Sequence, residues 1–424
     1  MKKHIIIASY DGLSTFYCGV GTIAKNTVAT LNNYAKDNNI RVSIAYITAS
    51  PEGKAYSKES YSKSLSLVNK TQGFMVPLCN GTKGLTEWDM WRSFPEWNYV
   101  SASLATSLNL ILKEDEENIL MLHDTPFLLF SKFKDQVINK NLKCYYLPHS
   151  SGLNHVFGNK IWRDERVHIE KECFTLINQD KNSRVIATGN SFGEHLFDNY
   201  GLRFTMNDYL KNGLSFSEYA ESLKMNTKFE DISYLNQNLN SGSKIIFSWG
   251  RCSVAKGFKE LIDAWAIINN KLSNHFLILQ APNNSGEDEY YSKLIEMANV
   301  LPRVVVVNNF NQNIWKSILR YKNTDIVCLP SLMDPNPHTP IEAKLFMKDM
   351  NYVIVASDKD GVKDSFEKNE CYLVDPLNID MFAETLYIAS NTTIDNRKNM
   401  SKLNENSVKD FDYSNNLINF LENI

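Results

Sequence analysis

The chain has 424 residues, 43% of them hydrophobic and 22% charged, with a formal net charge of −3. This length predicts two domains, and the near-neutral charge gives no reason to expect nucleic acid or an anionic membrane as the main partner. Its seven cysteines form no C-x-x-C pair, and no apolar run suits a signal peptide or a membrane span, so we expect a cytoplasmic protein with reduced thiols.

The first half alternates short apolar runs with helical stretches. Residues 4–8 predict a strand, which is followed by a loop containing Gly12, Gly19 and Gly21 and then by a helix from about residue 23 to residue 34. This alternation predicts a parallel sheet with helices on both faces. Further strands are predicted at residues 41–47, 118–122, 144–147 and 184–187.

The second half repeats the same plan and predicts a second doubly wound α/β domain, with ligands beyond the carboxyl ends of its strands. Strands are predicted at residues 244–249, 276–279, 303–307, 326–329 and 352–356, with a helix at 258–269. Two such domains facing each other would form a deep cleft suited to a ligand. The predicted divisions are residues 1–215, a polar linker at 216–243, a second domain at 244–400, and a C-terminal helix within 401–424 that packs back towards the first domain.

The segment from residue 330 to residue 343 carries the most chemistry. Asp334 and Glu342 stand eight positions apart, and an apolar strand leads directly into the segment. Thr339 is a candidate N-cap and Pro340 suits the first helical position. A helix that begins there directs free N–H groups and a partial positive charge towards the strand ends, which suits a phosphate flanked by sugar hydroxyls. A nucleotide sugar combines these groups.

Short motifs follow one another along most of the chain. They are Gly19-Val20-Gly21, His123-Asp124, Pro148-His149-Ser150, Asn212-Gly213-Leu214, Gly250-Arg251 with Lys256-Gly257, Asp334 with Glu342, and Ser357-Asp358 with Gly361. In this order they resemble the motifs of the family 4 retaining glycosyltransferases, which have the GT-B architecture of two Rossmann-like domains. The resemblance implies a cytosolic retaining transferase that moves a sugar from a nucleoside-diphosphate sugar to an acceptor hydroxyl by front-face attack.

The resemblance also implies roles for the residues that it covers. Arg251 and Lys256 would stabilise the charge that grows on the departing diphosphate, although such a pair alone is more typical of a solvated basic loop. Asp334 would bind the donor sugar hydroxyls, Glu342 the ribose hydroxyls, and His149 a sugar hydroxyl at the reaction centre.

The remaining candidates have alternatives. The donor set is completed by Gly19, Gly21, Asn336, His338 and Thr339, the glycines through close backbone approach. Asp124 could contact the acceptor or the sugar, and it could equally cap a helix. Trp88 and Trp91, in a cluster with Phe94 and Trp97, could form a sugar-stacking acceptor platform, but we favour slightly a satellite core.

No cofactor is expected besides the nucleotide sugar as co-substrate. We expect no dedicated metal, on the premise that no Asp-x-Asp triplet stands at a strand end. The expected acceptor is a saccharide or a small molecule, with no nucleic acid, and a peripheral membrane contact is not indicated. Two alternatives stay open: an epimerase or phosphorylase-like enzyme of the same fold, and a degenerate sugar-binding subunit. The second is prompted by Asn336-Pro337-His338, which departs from the family pattern.

Overall fold

The computed structural model describes residues 2–15, 19–35, 38–47, 56–79, 93–154, 160–283, 288–309 and 311–424. The chain divides into two compact units. Unit 1 consists of Met1–Ser215 together with Tyr413–Ile424, and unit 2 consists of Phe216–Asp412. Across these described ranges, no helix is both long and apolar enough to cross a membrane.

Unit 1 is built on a parallel six-stranded sheet in the order β3-β2-β1-β4-β5-β6. Along its central strands alternate residues enter two cores: Ile6 and Leu120 face one core, and Ile7 and Met121 face the other. This alternation follows from the two-residue period of a strand, and it buries both faces. The strands are β1 Lys2–Ser9, β2 Ile40–Ile47, β3 Met75–Leu78, β4 Glu116–His123, β5 Lys143–Leu147 and β6 Ser183–Val185.

Six helices cover the two faces of this sheet in the described part of unit 1. The last of them, at the C-terminus, places Leu417, Phe420 and Leu421 in the core that contains Ile5 and Ile7. The helices are α1 Gly19–Tyr34, α2 Lys58–Thr71, α3 Phe94–Ile111, α4 Lys160–Gln179, α5 Asn190–Tyr200 and, at the C-terminus, α14 Tyr413–Asn423.

Unit 2 repeats the arrangement with a parallel sheet in the order β12-β11-β10-β7-β8-β9. Its strands are β7 Lys244–Trp249, β8 His275–Gln280, β9 Val304–Val307, β10 Thr324–Leu329, β11 Val353–Ser357 and β12 Tyr372–Val374. Its helices are α6 Ala220–Leu223, α7 Phe258–Ile268, α8 Asp288–Val300, α9 Gln312–Leu319, α10 Thr339–Phe346, α11 Asp360–Asp364, α12 Ile379–Ser390 and α13 Ile394–Ser407.

Both sheets have the strand order of a Rossmann fold, so the predicted pair of doubly wound domains is confirmed. In each sheet the strand order reverses beside the first strand, between β1 and β4 in unit 1 and between β7 and β10 in unit 2. Ligands of open α/β sheets bind outside the carboxyl ends of the strands at such a switch point. The loops after these four strands are therefore where the fold predicts ligand binding.

Three details differ from the sequence-based expectations. Helix α1 begins at Gly19, one turn earlier than predicted, so Gly19 and Gly21 are helical and do not lie in a loop. Residues 216–243, predicted as a linker, belong to unit 2, where they form short helical turns. The C-terminal region is divided: residues 401–407 continue α13 in unit 2, and only residues from Tyr413 onwards join unit 1.

Candidate functional site

The candidate residues fall into two sets, one at the switch point of each unit. In unit 2 the loop after β7 carries Arg251 and Lys256, and the loop after β10 carries Asp334. A backbone hydrogen bond of 2.8 Å from Leu332 to the carbonyl of Ala255 joins the two loops. The structure therefore brings these candidates together where the topology predicts a ligand.

Lys256 and Asp334 form an ion pair between the ammonium group and Oδ2. Both side chains are mostly buried, with 17% and 18% of their surface exposed. In such a setting a hydrogen-bonded ion pair is stronger than on an open surface. The pair places one positive and one negative group side by side, which suits a ligand that carries both phosphate oxygens and hydroxyl groups.

Two glycines allow the loops to approach so closely. Gly257 has φ +66°, and a Cβ atom at this position would lie 1.9 Å from the carbonyl oxygen of Pro330. Gly250 has φ +155°, and the aliphatic stem of Lys256 passes over it, 3.4 Å from where its Cβ would be. Only glycine fits the contact at Gly257, so the Gly-Arg…Lys-Gly spacing has a steric cause at this position.

Arg251 is the exposed cation of the set. Its loop is held by backbone bonds on either side, from Gly250 to the carbonyl of Gln280 and from Cys252 to the carbonyl of Pro282, both 3.1 Å. Among the described residues its guanidinium group has no hydrogen-bond or ion-pair partner. The loop is therefore fixed while the side chain stays available to an anionic ligand.

Helix α10 begins one residue away from the prediction. His338 occupies the N-cap position, Thr339 is the first helical residue and Pro340 the second, so the expected N-cap role of Thr339 is wrong. His338 has φ −86° and ψ −29°, and its side chain makes no capping hydrogen bond to this helix. Its carbonyl accepts the N–H of Glu342 at 2.8 Å, which is the first bond of the helix, so the helical pattern begins at His338 and does not include Asn336 or Pro337.

The carboxylate of Glu342 is held by two aromatic donors. The indole N–H of Trp249 donates to Oε2 at 3.1 Å, and the hydroxyl of Tyr219 donates to Oε1 at 3.3 Å. Burial raises the pKa of Glu342, against the lowering effect of these two bonds and of the nearby Lys316 and Lys256. Because burial destabilises the charged carboxylate, each hydrogen bond that it accepts helps to keep it ionised.

An aromatic stack supports this carboxylate. Trp249 stacks on Trp315 with ring centroids 5.7 Å apart and on Phe247 at 5.3 Å, both within 8° of parallel. Lys316 lies over the rings of Tyr219 and Trp315, at 5.3 and 5.5 Å from their centroids. Tyr219 and Trp249, both more than 90 positions before Glu342 in the chain, therefore fix the orientation of its carboxylate.

The turn at residues 335–338 has a rigid backing. A Cβ atom at Gly361 would lie 2.2 Å from the carbonyl oxygen of Pro335 and 2.9 Å from Pro337, so the start of α11 packs directly on this turn. Pro337 is buried, whereas Asn336 and His338 are partly exposed. The departure from the family pattern is accommodated by packing and leaves two polar side chains at the surface of the turn.

The premise used against a catalytic metal is wrong. Asp358-Lys359-Asp360 is an Asp-x-Asp triplet, and it follows β11 directly. Lys359 forms ion pairs with Asp358 at 3.1 Å and with Asp375 at 3.0 Å, and Asp360 accepts the backbone N–H of Asp334. Within the described ranges no group of three or more His, Cys, Asp or Glu residues could hold a metal ion.

In unit 1 the carboxyl ends of β1, β4 and β5 are level, because Ser9 pairs with His123 and His123 with Leu147. His123 and His149 stack there with centroids 5.6 Å apart and planes within 9°, and Nδ1 of His123 lies 3.4 Å from Nε2 of His149. Burial lowers the pKa of His149 to about 4. Neutral imidazoles are therefore expected here, which suits hydrogen bonding to a hydroxyl group.

Asp124 adopts φ +79° and ψ 160°, a conformation that few residues other than glycine adopt. Its side chain accepts the N–H of Thr125 at 2.8 Å and caps the 3₁₀ helix of residues 125–132. Burial raises its pKa, opposed by this bond and by the charge of Arg166. The capping alternative is thus observed, and a contact with acceptor stays a prediction.

The glycines and aromatic residues of unit 1 have structural environments. Gly21 is buried, and its carbonyl oxygen would lie 2.2 Å from a Cβ at Gly12, so this contact explains why residue 12 is glycine. Phe94 and Trp97 pack against Trp162 and are buried in the same core as Ile6 and Leu120, so they are core residues as favoured, but of the main core of unit 1 and not of a satellite core. Trp88 and Trp91 lie outside the described residues.

Several residues near Glu342 were not found from the sequence. Tyr219 lies in the segment that was predicted to be a linker, and Lys316 and Trp315 lie on a helix without a motif. Trp249, the last residue of β7, was the available signal, because a large aromatic residue at a strand's carboxyl end is suited to a ligand site.

Residues 233–409 match the family model described as Glycosyl transferases group 1. The matched range lies within unit 2 and holds Arg251, Lys256, Asp334 and Glu342. Unit 2 is therefore similar to the domains that this model describes. No curated protein matches the chain.

Solved structures share the fold along almost the whole chain. The N-terminal domain of Candida albicans trehalose-6-phosphate phosphatase has a TM-score of 0.71 at 13% identity and covers 99% of this chain and 96% of its own. An E. coli structure described as trehalose-6-phosphate bound with UDP-2-fluoro glucose has a TM-score of 0.70 at 15% identity, covering 99% and 98%. The α,α-trehalose-phosphate synthase of Burkholderia xenovorans, in complex with glucose-6-phosphate, has a TM-score of 0.68 at 12% identity, covering 99% of each chain. The GT-B fold predicted from the sequence is confirmed.

Proposed function

We propose that the chain is a cytoplasmic retaining glycosyltransferase, with the motif order of family 4, which transfers a sugar from a nucleoside-diphosphate sugar to an acceptor hydroxyl. The observation that carries the proposal is the ion pair between Lys256 and Asp334 at the switch point of unit 2, with Arg251 and Glu342 on the adjoining loop and helix. Cations for a diphosphate and carboxylates for hydroxyl groups converge there from separate parts of the chain.

In the proposed reaction, negative charge accumulates on the leaving diphosphate as the bond to the anomeric carbon breaks. Lys256 and Arg251 would stabilise that charge, and fixed cations do so without reorganising at the moment of reaction. Asp334 would accept hydrogen bonds from hydroxyl groups of the donor sugar. Lys256 would donate hydrogen bonds both to Asp334 and to the diphosphate. Glu342 would accept the ribose hydroxyls and already has its geometry set by Trp249 and Tyr219.

The proposal extends to the other candidate residues. The turn at Asn336 and His338 would contact the donor and influence which sugar is accepted, since both are partly exposed beside Asp334. His149 would contact a sugar hydroxyl at the reaction centre, and Asp124 the acceptor. The donor role of Gly19, Gly21 and Thr339 and the platform role of Trp88 and Trp91 stay predictions.

The substrates of the structures with the same fold suggest where to begin. One holds UDP-2-fluoro glucose and another glucose-6-phosphate. We therefore place UDP-glucose first among donors and a sugar phosphate first among acceptors, ahead of other nucleotides and free sugars.

The test combines nucleotide binding with one substitution. Nucleoside diphosphates and their sugars should raise the melting temperature, because a ligand that binds only the folded state stabilises it. Lys256→Ala should lower turnover roughly 10²–10³-fold, the cost of losing one transition-state donor. Lys259→Ala is the matched control, since Lys259 also pairs with an aspartate, Asp263, but on the surface of α7.

The outcomes separate the alternatives. No stabilisation by any nucleotide would refute the proposal. Stabilisation without transfer or hydrolysis across donors and acceptors would favour a degenerate sugar-binding subunit, and conversion of the donor without an acceptor product would favour an epimerase. Equal turnover in Lys256→Ala and Lys259→Ala would refute the role of Lys256.

A further inference from the structure

A buried arginine connects the two strand-end loops of unit 1. Arg166, on α4, has only 1% of its side chain exposed. Its Nη2 donates to Oγ1 of Thr125 at 2.7 Å and to Oγ of Ser150 at 3.0 Å. Thr125 follows β4 and Ser150 follows β5, so one guanidinium group bonds to the loops after two adjacent strands.

Glu170 fixes the orientation of this guanidinium group. It lies one turn further along α4, is fully buried, and accepts Nε of Arg166 at 2.7 Å. Its oxygens also accept the backbone N–H of Gly152 at 2.9 and 3.0 Å and the hydroxyl of Tyr200 at 2.5 Å. The carboxylate thus contacts the β5 loop itself, and the ring of Trp162 lies 5.6 Å from Cζ of Arg166.

The residues bonded to Arg166 are the immediate neighbours of two candidate residues. Thr125 follows Asp124, whose positive φ stores backbone strain, and Ser150 follows His149. Strained conformations persist only where surrounding contacts over-determine them, and they cluster at functional sites. The bond from Arg166 to Thr125 is one such contact, since it fixes the residue that Asp124 caps.

Stability alone does not explain this arrangement. A buried ion pair is weak support for a fold, because desolvation of both charges offsets their attraction, and apolar replacements are often as stable. What apolar side chains cannot do is donate two directed hydrogen bonds to two different loops. A planar guanidinium group can, and a lysine ammonium group on a flexible stem does so less rigidly.

We propose that Arg166, oriented by Glu170, is a positioning residue that holds the Asp124 turn and the His149 loop at a fixed separation. The inference deepens the proposed function and rests on it, because that function places the acceptor and the reaction centre at these two residues. Arg166 itself touches no substrate.

The test uses substitutions that separate positioning from stability. Arg166→Met removes the donors but leaves the carboxylate of Glu170 buried without its cation, so it should lower the melting temperature. The double variant Arg166→Met with Glu170→Gln removes that unpaired charge and keeps an acceptor for Gly152 and Tyr200. It should regain most of the melting temperature. Arg166→Lys keeps the charge and should retain more turnover than Arg166→Met.

The readouts are turnover and local hydrogen exchange. In the double variant we expect kcat to fall about 10- to 100-fold, the range caused by misplacing catalytic groups by about an ångström. The KM for the donor should stay within about twofold, because most of the proposed donor-binding residues, Lys256 and Glu342 among them, belong to unit 2. Amide exchange should rise in peptides covering residues 122–127 and 147–154 and stay unchanged in the sheet of unit 2.

The exchange measurement keeps the two proposals apart. Faster exchange in both loops with lowered kcat at a regained melting temperature supports the positioning role. Recovery of kcat together with the melting temperature, or unchanged exchange in both loops, overturns it. If the wild-type protein neither binds nucleotides nor turns over any donor, the proposed function has failed, and the exchange result alone decides whether Arg166 orders the loops.

Discussion

Gly257→Ala is the sharpest test of how the two loops of unit 2 meet. Gly257 directly follows Lys256, and its backbone has φ +66°. An added Cβ would lie 1.9 Å from the carbonyl oxygen of Pro330, whereas contacts of real Cβ atoms are almost never under 3.0 Å. The carbonyl of Pro330 would have to move by about 1.1 Å, the difference between these distances, and it lies on the segment that leads to Asp334.

The expected cost has two parts. A left-handed conformation costs an alanine about 1–2 kcal/mol, offset in part by about 0.4–1 kcal/mol from the smaller entropy of the unfolded chain. Forcing an extra carbon against backbone adds about 1–3 kcal/mol, as in other overpacked sites. We therefore expect unit 2 to lose about 2–4 kcal/mol of its free energy of unfolding, with weaker nucleotide binding because Lys256 and Asp334 move apart.

The control is Gly201→Ala. Gly201 has nearly the same dihedral angle, φ +69°, at the end of α5, but a Cβ there would meet nothing within 4 Å. It should cost only the conformational part, about 1 kcal/mol. Hydrogen exchange resolved by peptide measures both, since the substitutions lie in different units and one unfolding midpoint would mix them. Equal costs for Gly257→Ala and Gly201→Ala would show that the Pro330 carbonyl does not confine Gly257.

Two further predictions concern charged groups of unit 2. Trp249→Phe removes a hydrogen bond that lowers the pKa of Glu342, so the carboxylate should become protonated at a higher pH than in the wild type. Affinity for a nucleoside diphosphate, measured by calorimetry as the pH is lowered, should therefore begin to fall at a higher pH. An unchanged pH profile would contradict this role of Glu342. Arg397→Met should destabilise unit 2 by roughly 3–5 kcal/mol, because it leaves buried Asp325 without one of its cations. Lys224→Met, at an exposed ion pair with Glu221 in the same unit, should cost less than about 1 kcal/mol in the same urea titration. Burial acts to raise the pKa of Asp325, but its hydrogen bond to a histidine and the charge of Arg397 outweigh burial and lower the pKa. The ionised carboxylate therefore stabilises the folded state above the pKa of an unfolded aspartate, and this stabilisation is lost as the pH falls. In Arg397→Met we expect this pH-dependent part of the stability to be smaller.

The strands with long apolar runs could be predicted from the sequence, but two of the four edge strands, β3 and β12, could not. Residues 5–7 and 353–356 are β-branched or apolar throughout, as strands buried on both faces require. In contrast, β3 contains Pro77, which is tolerated only because β3 is an edge strand, and β12 has three residues. Such strands are defined by their neighbours in the sheet, which local composition does not report.

The candidate site also has features that could be predicted from the sequence and features that could not. The proximity of Lys256 and Asp334 could be expected from motif order, because both follow strands that meet at one switch point. The donors to Glu342 could not, since Tyr219 lies 123 positions before it and has no local pattern. The start of α1 at Gly19 could not be predicted either, because glycine disfavours helices and Gly19 and Gly21 therefore indicate a loop.

The polar groups of unit 2 already have partners, and this sets how a nucleotide sugar would bind. Lys256 is paired with Asp334, and Glu342 accepts bonds from Trp249 and Tyr219. A diphosphate or a ribose would therefore exchange existing hydrogen bonds for new ones, and only the difference between the two sets contributes to affinity. Arg251, exposed and without a partner among the described residues, gives up no such bond. We infer that Arg251 contributes more to ground-state affinity for the diphosphate, whereas Lys256, held in place by Asp334, acts mainly as charge develops on the leaving group. A substitution of Arg251 should accordingly raise the KM for the donor more than it lowers kcat, in the opposite proportion to Lys256→Ala.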